Sequence, residues 1–201
     1  MALSPEHVVN MALRRIGYPI PVGYLLEGSP AARVAVELYG QTRDELMRAA
    51  DWDFARQSAV LVLLKTSPVG GYGWANPWSS IFPPVPWNFE YAYPTGCLMV
   101  RSVRTTPTLL NVYDPQPNIF TLADDPSVTP SKVILSNLAN AVAVFTGRIT
   151  DPAQWNDSFT EALVAALATR LQAALNPEPN ADKERMEQEV QAGGMAIARP
   201  G

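Results

Sequence analysis

Apolar positions recur at helical spacing through about residue 55, shift to short β-type runs in the middle of the chain, and return to helical spacing after residue 150. Ser4-Pro5-Glu6 is a helix start: an N-cap, a proline where its missing N–H has no partner, and an acid at the positive end of the helix dipole. Val9, Ala12, Leu13 and Ile16 form its apolar stripe, Arg14-Arg15 lie near its end, and Gly17 can close it. Prolines and glycines between 18 and 28 make a connector. Ser29-Pro30 then opens a second, longer helix with a stripe of Ala35, Leu38, Tyr39, Leu46 and Ala49/Ala50. Arg33 with Glu37, and Asp44 with Arg48, are opposite charges one turn apart and are expected to pair. Gly40 inside this helix costs about 1 kcal/mol relative to alanine, which predicts another backbone passing close by.

After Asp51-Trp52-Asp53 the period changes. Residues 58–64 are a continuous Val/Leu-rich run that predicts a strand buried on both faces, with Trp52 and Phe54 as core at the corner before it. Further short runs rich in Val, Ile, Tyr and Phe lie at 89–93, 98–104, 110–113, 119–122, 132–136 and 141–146, separated by prolines. Their spacing predicts an antiparallel meander or small sandwich. Asp151-Pro152 is expected to open a last long helix, with a stripe of Phe159, Leu163, Ala166/Leu167, Ala174 and Leu171/Leu175 inward, stopped by Asn176-Pro177 near 175. The fold class is therefore α+β: a helical bundle from 3–55 and 150–192, with an antiparallel β domain, 56–149, inserted between.

Two segments fit neither pattern. The loop 67–88 carries Tyr72, Trp74, Trp78, Phe82 and Trp87 among many prolines and glycines. Long loops of this kind tend to be functional, so these five aromatics are the candidate subunit or tail interface; local packing by the same aromatics is the competing reading. The segment 176–201 is highly charged, with only Met186, Val190, Met195 and Ile197 as apolar anchors, and has little to bury within its own subunit.

Composition narrows the chemistry. The formal net charge of -4 argues against a surface built to grip nucleic-acid phosphates. No apolar run approaches the ~20 residues that span a bilayer, and the first residues lack the basic-then-apolar order of a signal peptide. The single Cys97 excludes an internal disulfide and suggests assembly in a reducing cytoplasm. His7, the only histidine, stands at a helix start with no nucleophile motif beside it, and Asp124-Asp125 lacks the calcium-loop ligand pattern. No phosphate loop, nucleophile elbow or metal motif is present in the sequence, so no cofactor, metal or catalytic residue is expected.

The order of features resembles one protein family. Ile16-Gly17 and Glu27-Gly28 precede an Ala-rich helix with Tyr39, then Arg43, Glu45 and Arg48. Trp52-x-Phe54-Ala55 and an apolar strand follow, and later Tyr91-x-Tyr93-Pro94-x-x-Cys97-Leu98 and another strand. This succession, running from about residue 3 to 175, resembles the head-to-tail adaptor proteins of tailed bacteriophages, the tail tubular protein A type. It departs from the pattern at Thr95-Gly96 before Cys97 and in the long 67–88 loop.

The resemblance implies a non-enzymatic virion protein of the neck, assembled in the host cytoplasm. It would form a homo-dodecameric ring between the portal protein and the tail nozzle or tail tube, extending the channel through which double-stranded DNA passes without sequence-specific binding. It also implies that the C-terminal arm, with Arg185, Met186, Glu189, Val190, Met195 and Ile197, contacts the portal, with no membrane involved. The alternative is a glycan-binding or glycan-hydrolysing phage tail component, because carboxylates and tryptophans suffice for that chemistry. Asp51 and Asp53 would be its acids, but they flank Trp52 on one corner and do not straddle a substrate.

Overall fold

The computed structural model describes residues 3–68, 81–105 and 120–175, and the statements below concern those. They form an α+β protein: three α-helices and seven strands in two antiparallel sheets, with helices at both ends of the chain and the strands between. The chain divides into two compact units, one of 1–43 with 151–201 and one of 44–150.

In the helical unit, α1 (Pro5–Arg15) starts on Ser4, whose hydroxyl accepts from the His7 N–H, and buries Val8, Val9, Ala12 and Leu13. Its end is a Schellman motif. Gly17 takes φ +75°, its N–H donates to Arg14 and that of Tyr18 donates to Leu13, so two orphan carbonyls are satisfied. The connector is clamped by Asn10, whose side chain donates to the Val22 carbonyl (2.8 Å) and accepts from its N–H (2.7 Å). Helix α2 (Pro30–Ala49) begins with the Ala32 N–H on Ser29 Oγ at 3.2 Å.

The buried face of α2 is Ala31, Ala32, Ala35, Tyr39, Thr42 and Met47, rotated from the expected stripe, which leaves Ala49 and Ala50 exposed. A side chain added at Gly40 would meet nothing within 4 Å, so no backbone makes the close approach expected there. Arg33 Nε donates to the Gly28 carbonyl, and Asp44 pairs with Arg148 at 2.8 Å, a long-range partner in place of its helical neighbour.

The last helix starts later than expected. Asp151 caps only a short 3-10 turn, Pro152–Gln154, and α3 (Asp157–Leu175) starts on Asn156, whose side chain accepts from the Phe159 N–H at 2.8 Å. Phe159, Leu163, Val164, Leu167 and Leu171 are buried along it, and Trp155 meets Phe159 edge-on with ring centroids 5.1 Å apart. Arg170 reaches Thr42 Oγ1 at 2.9 Å.

The β unit contains β1 (Arg56–Val60), β2 (Leu63–Thr66), β3 (Phe89–Ala92), β4 (Cys97–Thr105), β5 (Phe120–Asp124), β6 (Lys132–Ser136) and β7 (Ala141–Gly147). One sheet has the order β1-β7-β4 and the other β2-β3-β6-β5, so the topology is not a meander. Both sheets contribute to one core of Leu61, Tyr91, Val103, Ile134, Ala143 and Phe145, as in a small sandwich. The expected strand at 110–113 lies outside the described residues.

The run 58–64 is not one strand buried on both faces. It splits into β1 and β2, each the edge strand of a different sheet, and within the run only Leu61 is buried. The change of sheet occurs at Leu61-Val62, where the Leu61 N–H donates to Ala141, the first residue of β7, and the Val62 carbonyl accepts from Ala92 on β3. An edge strand gains cover from one neighbour only, so its apolar side chains stay largely in water.

The corner before β1 is half-buried rather than core. Trp52 donates from its indole to the Leu46 carbonyl at 2.9 Å and lies 6.3 Å from the Phe54 ring; Ala55 is the buried residue there. The C-terminal end of α2 is closed by Arg101 of β4. Its guanidinium donates to the carbonyls of Met47, Arg48 and Ala50, while Nε donates to Thr146 at 2.9 Å. A cation on the free carbonyls of a helix end satisfies hydrogen bonds and complements the helix dipole together.

Candidate functional site

Two kinds of feature stand out from packing alone: exposed apolar surfaces, one in each unit, and a buried charge cluster in the β unit. In the helical unit, Tyr24, Leu25, Leu26, Val36 and Tyr39 line an apolar groove of about 410 Å3, with Glu6 at its edge. Leu26 is 82% exposed. The connector presents these side chains because its backbone is tied down elsewhere. Glu27 accepts from the N–H groups of Gly23 and Tyr24 and from the Ser29 hydroxyl, contacts that hold its carboxyl below the usual range, the Ser29 bond first among them.

In the β unit the apolar surface is the split run itself. Val60 and Val62 are 69% and 66% exposed, with Leu63 and Leu64 beside them on the two sheet edges. A row of aliphatic side chains on strand edges is the type of surface that natural proteins cover with a partner or disrupt with charge.

Of the aromatics singled out in the loop, Phe82 and Trp87 are described and half-buried; Tyr72, Trp74 and Trp78 lie outside the described residues. The end of that loop is anchored: the Trp87 N–H donates to Pro84, the Ser67 N–H to Asn88, and the Asn88 N–H to Asn137 Oδ1. Arg185, Met186, Glu189, Val190, Met195 and Ile197 also lie outside the described residues. Asp51 is held by Arg56 at 2.6 Å, a bond that lowers its carboxyl pKa. His7 is an exposed helix-start residue beside Ser4. Cys97 is a half-buried free thiol, pushed up by that burial.

The charge cluster was not anticipated from the sequence. Lys65, Glu90 and Asp125 are 6%, 0% and 2% exposed. Lys65 and Glu90 are cross-strand partners on β2 and β3, and Asp125 follows β5. The register slips by one residue between Leu63 and Lys65, a β-bulge that turns Leu64 to solvent and Lys65 inward. Lys65 Nζ donates to Asp125 Oδ2 and to Ser127 Oγ (3.0 Å), and lies 3.5 Å from Glu90 Oε1. The Ser127 hydroxyl bonds both Asp125 oxygens, at 2.8 and 2.9 Å, and its N–H donates to Oδ1 at 2.8 Å.

These contacts set the protonation. Burial would raise the Asp125 carboxyl, but donors from Lys65, Ser127 and Glu90 outweigh it and bring its pKa to about 2. Glu90 is pushed up to about 7 by burial first and then by Asp125. Neither Glu90 oxygen is hydrogen-bonded among the described residues, and the Lys65 ammonium at 3.5 Å offsets only part of the cost of burying its charge. Among the described residues one cation, Lys65, serves two buried carboxyls, which favours a proton on one of the two. The signal in the sequence was a lone charge inside each of two apolar strands, Lys65 after Leu64 and Glu90 between Phe89 and Tyr91.

Among the described residues, no group of three or more His, Cys, Asp or Glu could hold a metal ion, and no helix is long and apolar enough to cross a membrane. No protein-family model matches the chain, and no curated protein matches it.

Proposed function

We propose that this protein is a structural virion component, a head-to-tail adaptor that assembles as a closed homo-dodecameric ring between portal and tail and extends the DNA channel. The order of sequence features supports the family reading, and the α+β arrangement with helices at both chain ends is compatible with it. The observation that carries the reading is the pair of exposed apolar surfaces in different units: the Tyr24/Leu26/Val36 groove and the Val60–Val62–Leu63 edge. A ring of identical subunits joins one surface to a different one on the next copy, so each subunit must present two unlike patches. A self-complementary dimer would need only one. In this reading the protein has no catalytic cycle; its work is assembly, and the 67–88 loop and the 176–201 arm supply contacts to tail and portal.

The test is light scattering and electron microscopy of the purified chain, alone and mixed with portal. A closed ring that docks coaxially on the portal is expected. Val62→Asp, at an exposed position, should leave the monomer folded while shifting the population from ring to monomer. A chain that stays monomeric with portal present, or a ring indifferent to Val62→Asp and Leu26→Asp alike, refutes the reading.

A further inference from the structure

We propose that Lys65 and Asp125 condense within the folded subunit into a covalent amide joining Lys65 Nζ to Asp125 Cγ, with Glu90 moving the protons. The bond would tie β2 to the segment after β5, two elements at opposite edges of the four-stranded sheet.

The geometry supplies what such a reaction needs. The amine is hydrogen-bonded to the carboxyl it would attack, so the two groups meet without any diffusional step. All three groups are buried, which limits the access of the water that would compete or reverse the reaction. Glu90 Oε1 lies 3.5 Å from the nucleophile, and the Asp125 carboxyl is near enough to push the Glu90 carboxyl up, so one carboxyl neighbours both reacting groups. Its protonated state near neutral pH suits the dual role of acid and base. The Ser127 N–H and hydroxyl lie on Asp125 Oδ1, where negative charge develops as the carbonyl carbon becomes tetrahedral.

The step balances. The Lys65 ammonium gives one proton to Asp125, leaving a neutral amine beside a neutral carboxylic acid. The amine lone pair forms the N–C bond to Cγ while Glu90 donates its proton to the carboxyl oxygen and takes one from the attacking nitrogen. The tetrahedral centre then breaks one C–O bond, and that oxygen leaves with two protons as a single water. Glu90 ends as it began, nothing is oxidised or reduced, and no cofactor enters. The driving force is the buried pair itself: condensation turns two desolvated charges into one neutral amide.

The intact mass of the full chain, held at neutral pH until it stops changing, followed by peptide mapping, decides the matter. The expected result is a mass lower by one water and a branched tryptic peptide joining Lys65 to Asp125. Lys65→Arg and Asp125→Ala should restore the full mass, and Glu90→Gln should slow the loss of water by at least about a hundredfold. Full mass with unbranched Lys65 and Asp125 peptides overturns the proposal. So does a mass lower by one water that maps to a succinimide at another aspartate, such as Asp157-Ser158, with Lys65 and Asp125 in unbranched peptides. Both decisive results come from the unaltered chain, so they stand even if a variant fails to fold.

Discussion

Replacing Glu90 by glutamine should remove a pH dependence of stability that the buried acid creates. The native carboxyl titrates at about 7 against an ordinary value of 4.5. Between those values the native state holds a proton that the unfolded chain has lost. Stability from this group is therefore fully present below about 4.5, falls as pH rises through the window, and is flat above about 7. At about 1.4 kcal/mol per unit the span corresponds to roughly 3 kcal/mol, and screening by solvent reaching the site past the exposed Ser127 reduces this to roughly 2 kcal/mol.

Glutamine keeps the shape and one donor but cannot ionise. Urea unfolding followed by tryptophan fluorescence, from pH 4.5 to 8, gives each protein's own pH profile, so any difference in absolute stability drops out. The unaltered chain should lose about 2 kcal/mol more than Glu90→Gln across the window. The direction holds with or without the Lys65–Asp125 amide, because burial, the leading cause, is unchanged. Parallel profiles for the two proteins would show that Glu90 titrates normally and that the account of the cluster is wrong.

Arg101→Met should destabilise the β unit by about 2–3 kcal/mol, measured by denaturant unfolding, because three carbonyls at the end of α2 lose a charged donor. Phe159→Ala should cost about 3–5 kcal/mol by the same measurement, since the ring is fully buried and Trp155 would lose its edge-on contact. Asn156→Ala should cost about 1 kcal/mol by removing the α3 cap, whereas Asp151→Ala should leave the helicity of α3 unchanged by circular dichroism.

The sequence alone determined the elements with strong local physics. The Ser4-Pro5 and Ser29-Pro30 starts, the Gly17 closure, the 132–136 strand and the α+β class follow from caps, periodicity and glycine conformation, which act over a few residues. What it misassigned were matters of partnership. The 58–64 run looked doubly buried because apolar content does not reveal whether a strand has neighbours on both sides; the tertiary structure made it two sheet edges. Asp44 found Arg148 rather than its helical neighbour Arg48, because a half-buried site between elements desolvates a pair more than an exposed turn does. The Lys65–Glu90–Asp125 cluster was invisible for the same reason: a one-residue bulge on β2 turned a lysine inward and brought together three charges scattered along the sequence. Local sequence decided which segments are helix and strand; only the packed sheets decided which charges share a dry interior and which apolar side chains were left facing water.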